Sequence, residues 1–258
     1  VNVAILADPG NADGTLGGAE LTMREFALAA PEGVTLTDDL TAADTVIIGN
    51  CVTFPPSLVR DLAGKQVIRY HNDLARHEAT ALREWLESHA DHVFTSPLHQ
   101  RLYGLDGEWP NIPPPLDLDA FRPSRQQRRH AKRKGAVAIA PWQNPGKGQH
   151  MLREWSDKHG PVDVYGAGPL VPQGPNLNYC GVLEPERVAE TLWSYRTFVH
   201  LPTAPEPFGR AVVEAWAAGC ELVVNRLVGA LHYIDNEPEK LETAAADFWA
   251  LVGAEVTA

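Results

Sequence analysis

Cysteine is scarce in this 258-residue chain: there are three, Cys51, Cys180 and Cys220, odd in number and far apart. Such a set makes neither a disulfide framework nor a zinc site, and a reducing cytoplasm is the expected compartment. Long apolar runs are missing too. None approaches the roughly 18 residues needed to span a bilayer, and no basic-then-apolar leader opens the sequence, so no membrane span is expected. Positive charge is in deficit. With 22 Lys+Arg against 33 Asp+Glu the net charge is −11, which argues against general affinity for nucleic acid or anionic membranes. No Gly-x-Ser-x-Gly elbow supports Ser-His-Asp chemistry. The first loop, Asp8-Pro9-Gly10-Asn11-Ala12-Asp13-Gly14, lacks Gly-x-Gly-x-x-Gly, and Gly166-Ala167-Gly168 runs into Pro169 and Leu170 without a third glycine. Both features weigh against a nicotinamide-dependent oxidoreductase.

What is present is ordinary for a globular protein, with 44% hydrophobic and 21% charged residues. Short β-branched runs alternate with helical patterns, the signature of an α/β fold with parallel strands. In the first half, strands are predicted at Val1–Ala7, Thr45–Ile48, Gln66–Tyr70 and His92–Thr95, with helices at Gly18–Ala30 and Arg76–Ala90. Between Trp109 and Pro123 the prolines Pro110, Pro113, Pro114, Pro115 and Pro123 predict an extended connector. Alternation restarts at Ala136–Ala140 and continues through strands Val162–Tyr165, Asn178–Cys180, Phe198–Leu201 and Glu221–Asn225. Helices are predicted near Lys147–Lys158, Glu186–Tyr195 and Phe208–Ala218. The expected architecture is two Rossmann-like domains facing a cleft, residues 1–115 and 136–258, joined by a proline-rich and basic linker at 116–135.

In open parallel sheets ligands sit beyond the carboxyl ends of strands, so the strand-to-helix loops carry the chemistry. The loop after Phe198–Leu201 is the most informative: Pro202-Thr203-Ala204-Pro205-Glu206-Pro207-Phe208-Gly209, leading into Arg210-Ala211-Val212-Val213-Glu214-Ala215-Trp216. The helix is apolar nearly all round, so it reads as buried on all sides. A carboxylate in its middle, Glu214, then needs a partner. A ribose diol satisfies it, and so does an ion pair with Arg187 or Arg226. Gly209 lets a phosphate approach the free amides and positive end of the helix.

Glu-Pro-Phe-Gly-(x4)-Glu-Ala-x-Ala-x-Gly resembles the E-x7-E signature of retaining GT-B glycosyltransferases, especially glycosyltransferase family 4. Gly17-Gly18-Ala19-Glu20 looks like that family's first-loop glycine motif. Ile112-Pro113-Pro114-Pro115-Leu116-Asp117-(x3)-Phe121-Arg122-Pro123 resembles its interdomain stretch, and Pro145-Gly146-Lys147-Gly148 its lysine loop. Tyr165-Gly166-Ala167-Gly168-Pro169 and Cys180-Gly181-Val182 resemble its later glycine turns. The resemblance runs from about Ile112 to Ile234 and is thinner before that, where the first domain looks shortened.

The resemblance implies a GT-B-like fold and a retaining, metal-independent transfer of a sugar from a nucleotide-diphospho-sugar, with no cofactor. Catalytic roles would fall to Glu206, Lys147 and His71, the last placed like the family's first-domain histidine that meets the sugar. The bland reading of His71 is a structural hydrogen bond. Donor binding would fall to Gly17, Gly18, Gly166, Gly168, Gly181, Phe208, Gly209, Arg210 and Glu214. One departure stands out: the family's Gly-Arg pair before the lysine loop is Pro141-Trp142 here, and Arg210 is the candidate replacement cation. Asp117-Leu118-Asp119 spells a metal-binding D-x-D, but its proline-linker context argues against a metal.

The run from Arg122 to Lys134 holds seven basic residues and no acidic one. Within it Arg128, Arg129, Lys132 and Arg133 are the candidate acceptor contacts. They raise a polyanionic acceptor, in its boldest form DNA carrying a hydroxymethylated pyrimidine. A small molecule, glycan or protein is the alternative acceptor, and a solvated linker the bland reading of the run. The other functional readings are a non-enzymatic sugar-nucleotide binding module and, further off, the oxidoreductase.

Overall fold

The structure is a computed structural model describing residues 1–7, 18–49, 53–74, 79–124 and 133–253. The chain forms two compact units, one of Val1–Leu116 with Asn236–Ala258 and one of Asp117–Asp235.

The first unit is built on five parallel strands: β1 (Asn2–Leu6), β2 (Thr35–Leu36), β3 (Thr45–Ile48), β4 (Gln66–His71) and β5 (Asp91–Phe94), in the order β2-β1-β3-β4-β5. Alternate side chains of a strand point to opposite faces, and both faces are covered here. Ile47 joins Met23 and Phe26 of helix Gly18–Leu28 on one side, while Val46 and Ile48 join Leu82 and Leu86 of helix Thr80–His89 on the other. That two-sided burial is why the strand reads as a continuous apolar run.

The second unit has the same construction. Strands β6 (Lys134–Ile139), β7 (Val162–Tyr165), β8 (Leu177–Tyr179), β9 (Tyr195–His200) and β10 (Glu221–Val224) are parallel, in the order β10-β9-β6-β7-β8. From β6 the chain builds outward through β7 and β8, then returns to lay β9 and β10 on the other flank. The loops after β6 and β9 therefore diverge, creating the topological switch point at which open α/β sheets take ligands. The expected helix at Lys147–Lys158 is divided: a 3₁₀ turn at Pro145–Lys147 ends in left-handed Gly148, and the α-helix spans Gln149–His159.

Two sequence expectations need correction. Residues 136–258 do not form one unit, because the end of the chain belongs with the first sheet. Phe248 of helix Lys240–Leu251 stacks on Phe26 with ring centroids 3.9 Å apart, and Trp249 Nε1 donates to the Phe26 carbonyl at 3.1 Å. Both rings are buried, each contributing about 2–3 kcal/mol by leaving water. The proline connector is not wholly extended either. Leu118–Phe121 forms one helical turn, N-capped by the Asp117 side chain and tied by Trp193 Nε1 to the Phe121 carbonyl at 2.6 Å. Asp119 of the same turn pairs with Arg122 at 2.9 Å, so both aspartates of the D-x-D have local structural partners.

Substituting Phe248→Ala should destabilise the first unit by about 3–5 kcal/mol, the usual cost of emptying a buried aromatic site. Hydrogen exchange should quicken at β1 and β4 amides and stay unchanged in β6–β10; the reverse pattern would assign the last helix to the second unit.

Candidate active site

The site grows from two loops at the switch point. After β6, the turn Pro145–Lys147 is held by Gly148, whose φ of +77° favours glycine. A Cβ there would lie 1.8 Å from the Leu201 carbonyl oxygen, so the lysine loop approaches the loop after β9 as only glycine permits. The amides of Thr203 and Ala204 both donate to the Gly146 carbonyl, at 2.8 and 3.2 Å, and lock the two loops together.

Glu206 is held at its backbone and at both carboxylate oxygens. Its amide donates to the Leu227 carbonyl at 2.7 Å, and its carbonyl accepts from the Gly229 amide at 3.1 Å. Lys147 Nζ lies 2.6 Å from Oε1, and His200 Nε2 lies 2.9 Å from Oε2. Burial opposes ionisation of this carboxyl. The hydrogen bond and charge of His200, together with the Lys147 ammonium, outweigh burial and bring its pKa down to about 2. Glu206 therefore acts as a fixed negative charge and hydrogen-bond acceptor. It cannot serve as a proton donor near neutrality.

Gly209 begins helix Arg210–Ala217 with φ +96°. A Cβ at this position would meet Val228 Cγ1 at 2.6 Å and approach Glu206 Oε2 to 3.5 Å, so glycine keeps the space beside the carboxylate open. Arg210, half-buried, is the first helical residue. Phe208 is buried and its carbonyl accepts from Ala230, so its side chain serves the core. The helix is not buried all round, as its composition led one to expect. Val212, Val213 and Ala215 form the buried face, while Glu214 is partly accessible. The desolvation cost inferred for Glu214 is correspondingly smaller.

The later glycines have a structural explanation. A Cβ on Gly166 would fall 1.9 Å from the Ala140 oxygen, and one on Gly168 2.3 Å from the Trp142 oxygen. Trp142, where the resembled family has arginine, is buried. Its Nε1 donates to the Tyr165 carbonyl at 2.9 Å, and its backbone bonds Ala167 and Leu170. Gly181 (φ +93°) borders open space, and its carbonyl accepts from the Gly166 amide.

His71 lies in the first unit as the last residue of β4, which runs one residue beyond the expected Gln66–Tyr70. It is buried, stacked on Phe94 at 4.4 Å and hydrogen-bonded through Nε2 to His92 Nδ1 at 2.8 Å. It thus carries the hydrogen bond of a structural histidine. Burial lowers the pKa of His92, and that of nearby His99 to about 4. Gly18 starts its helix, whereas Gly17, Arg128, Arg129 and Lys132 lie outside the described residues. Arg133, a candidate acceptor contact, is engaged as a helix cap: its guanidinium donates to the Gly219 carbonyl and, at 2.8 Å, to that of Ala218. Those carbonyls end helix Arg210–Ala217, where a cation is favourable. Among the described residues, no cluster of three or more His, Cys, Asp or Glu side chains forms a metal site, and no helix is long and apolar enough to cross a membrane.

His200 is the site residue that sequence reasoning missed. Its signal was a lone imidazole in the apolar run Phe198-Val199-His200-Leu201, six residues before Glu206.

No protein-family model matches the chain, and no curated protein matches it in sequence. Solved structures do match in fold. HepE of Anabaena, in complex with UDP and glucose, aligns with a TM-score of 0.68 at 16% identity over 98% of this chain and 94% of its own. Sucrose-phosphate synthase from Thermosynechococcus elongatus aligns with a TM-score of 0.68 at 15% identity, covering 96% and 90%. An alpha-glucosyltransferase in complex with UDP and a 13-mer DNA containing a HMU base aligns at 0.57 and 12%, covering 96% and 91%. The chain has the GT-B fold. Its two parallel-sheet, Rossmann-like halves match those of GT-B glycosyltransferase structures.

The lowered pKa of Glu206 has a consequence for stability. A carboxyl depressed on folding stabilises above its ordinary value of 4.5 and loses that contribution as pH falls toward 2. Across that window wild type should lose on the order of 3 kcal/mol more than Glu206→Gln. Chemical denaturation of both proteins at stepped pH measures the difference, and parallel curves would refute the two-partner geometry.

Proposed function

We propose that this chain is a glycosyltransferase that moves a sugar from a nucleotide-diphospho-sugar to an acceptor hydroxyl with retention, without metal or cofactor. The observation that carries the reading is the Lys147–Glu206–His200 arrangement at the switch between β6 and β9, beside the glycine-led start of helix Arg210–Ala217. When a sugar leaves a diphosphate, negative charge grows on phosphate while the sugar becomes oxocarbenium-like. The Lys147 ammonium and the first amides of the helix are preorganised for the phosphate charge, and ionised Glu206 for the sugar hydroxyls and reacting face. Glu214 accepts the ribose hydroxyls, and Arg210 adds the cation absent at Trp142. UDP and glucose in the HepE complex support a uridine-diphospho-sugar as the first donor to test.

A non-enzymatic binding module is the competing reading, and the Trp142 departure is what favours it. Turnover separates the two. Lys147→Ala should lower kcat by roughly 10²–10³-fold with a smaller effect on donor affinity, because its interaction strengthens in the transition state. Glu214→Ala should weaken donor binding by about 1–3 kcal/mol, measured by calorimetry with UDP-glucose and with NAD as the control. Transfer or donor hydrolysis should persist in EDTA, and NMR should find the donor's anomeric configuration kept. Binding without any turnover would leave the module reading, and inversion would remove the retaining one.

For the acceptor, the basic run Arg122–Lys134 and the DNA-bound alpha-glucosyltransferase together favour DNA bearing a hydroxymethylated base as a specific second test. Such binding should weaken steeply with salt, and neutralising Arg128, Arg129 and Lys132 should flatten the slope. Arg133 is left intact because it caps a helix. A competent donor with no DNA binding or transfer at low salt would exclude this acceptor.

A further inference from the structure

We propose that His200 is a positioning residue: it holds Glu206 in its working orientation when Lys147 turns from the carboxylate to the donor diphosphate. The inference rests on the glycosyltransferase reading and deepens it. The two carboxylate oxygens of Glu206 have unlike partners. Oε1 meets Lys147, a long flexible side chain whose accessibility is 22%, while Oε2 meets His200, whose accessibility is 5%. His200 is the last residue of β9 and is hydrogen-bonded into the sheet beside β10, so its imidazole moves little. Lys147 follows Pro145 and Gly146 in a three-residue turn at the edge of the site.

A lysine cannot give its full charge to a carboxylate and to an incoming diphosphate at once. A nucleotide diphosphate carries more negative charge than one carboxylate and draws the ammonium away. Glu206 Oε1 is then released as an acceptor for sugar hydroxyls. Without a second partner the freed carboxylate would also be free to rotate, and orientation at the reacting centre would be lost. His200 prevents this. Its Nε2–H donates to Oε2 in the neutral Nε2–H tautomer and in the imidazolium alike, so the bond does not depend on protonation. Glu206 needs this side-chain hold in addition to its backbone bonds to Leu227 and Gly229, since those fix its Cα and not its χ angles.

The test compares His200→Leu, His200→Asn and His200→Gln. Glutamine places an amide nitrogen where Nε2 stood; asparagine is polar but too short. With a nucleotide sugar that wild type turns over, His200→Leu and His200→Asn should lose kcat by about tenfold or more, with the donor KM within twofold of wild type. His200→Gln should recover most of it. In a Glu206→Gln background the same substitutions should change kcat no further. Carbon NMR of labelled glutamate supplies a readout besides activity: the Glu206 carboxyl should titrate higher in His200→Leu and His200→Asn than in wild type. Should leucine fail to fold, the asparagine–glutamine pair carries the comparison. Unchanged kcat in His200→Asn, equal losses in Asn and Gln, additive losses with Glu206→Gln, or an unmoved Glu206 titration would each overturn the proposal. Failure of wild type to bind or turn over any nucleotide sugar would instead overturn the glycosyltransferase reading, with the titration still deciding whether His200 holds the carboxylate.

Discussion

Strands that run parallel cannot be joined by hairpins, so every connection must cross a face of the sheet and every following loop emerges at the same edge. In the second unit this constraint does most of the placing. Because β6 lies centrally and the chain returns to its other flank for β9, the loops after these strands are neighbours whose helices depart in different directions. Lys147 comes from one loop and Glu206 from the other, 59 residues apart in sequence and 2.6 Å apart in space. The glycines at 148 and 209 follow from the same geometry. The first admits the Leu201 carbonyl and the second leaves room between Val228 and the carboxylate.

The electrostatics build on that placement. A half-exposed lysine and a half-exposed glutamate contribute little when paired at a surface. Here Glu206 is largely buried and has two partners, which is enough to overcome the desolvation that would otherwise keep its proton on. The outcome is an anion that stays ionised near neutrality, paired with the more accessible lysine. That combination suits a reaction in which positive character develops on one fragment and negative charge on the other. Each needs its own counter-charge, and the proposed function assigns ionised Glu206 to the sugar and Lys147, once it turns from the carboxylate, to the phosphate.

Much of this was legible in the chain. Thr45–Ile48 and Val162–Tyr165 were bounded correctly because both are short, β-branched and flanked by turn residues. Glu206 and Lys147 stood out through the resemblance of their loops to the E-x7-E and lysine-loop motifs, and Gly209 through its place at the head of an apolar helix, where a phosphate can approach the free amides. Other features left no local signal. The docking of helix Lys240–Leu251 on the first sheet depends on Phe248 and Trp249 finding Phe26, more than two hundred residues earlier. Amphipathic pattern gives a helix a buried face but not an address. Arg133 read as one more member of a basic run because its partners are backbone carbonyls, which no side-chain pattern reveals. His71 and His200 show the same limit from opposite sides. Both are imidazoles at strand ends, yet one meets another histidine among aromatic rings and the other meets the site carboxylate.

Trp142 links these lines of reasoning. In the resembled family this position supplies a phosphate-binding arginine, and by sequence alone its loss reads as a weakened site. In the fold it is a strut. The indole is buried among Ala138, Val164 and Leu152, and its N–H and backbone tie the loop after β6 to the loop after β7. A guanidinium there would exchange an apolar ring and one satisfied N–H for a charge that the surrounding core cannot partner. Under the glycosyltransferase reading the cationic complement falls to groups at the switch point, namely Lys147, the first amides of helix Arg210–Ala217 and Arg210 at its head. With fewer fixed cations, the share of charge carried by Lys147 grows. On the same reading, so does the importance of whatever keeps Glu206 in place once that lysine is engaged elsewhere, and His200 Nε2, 2.9 Å from Oε2, is placed to supply that second hold.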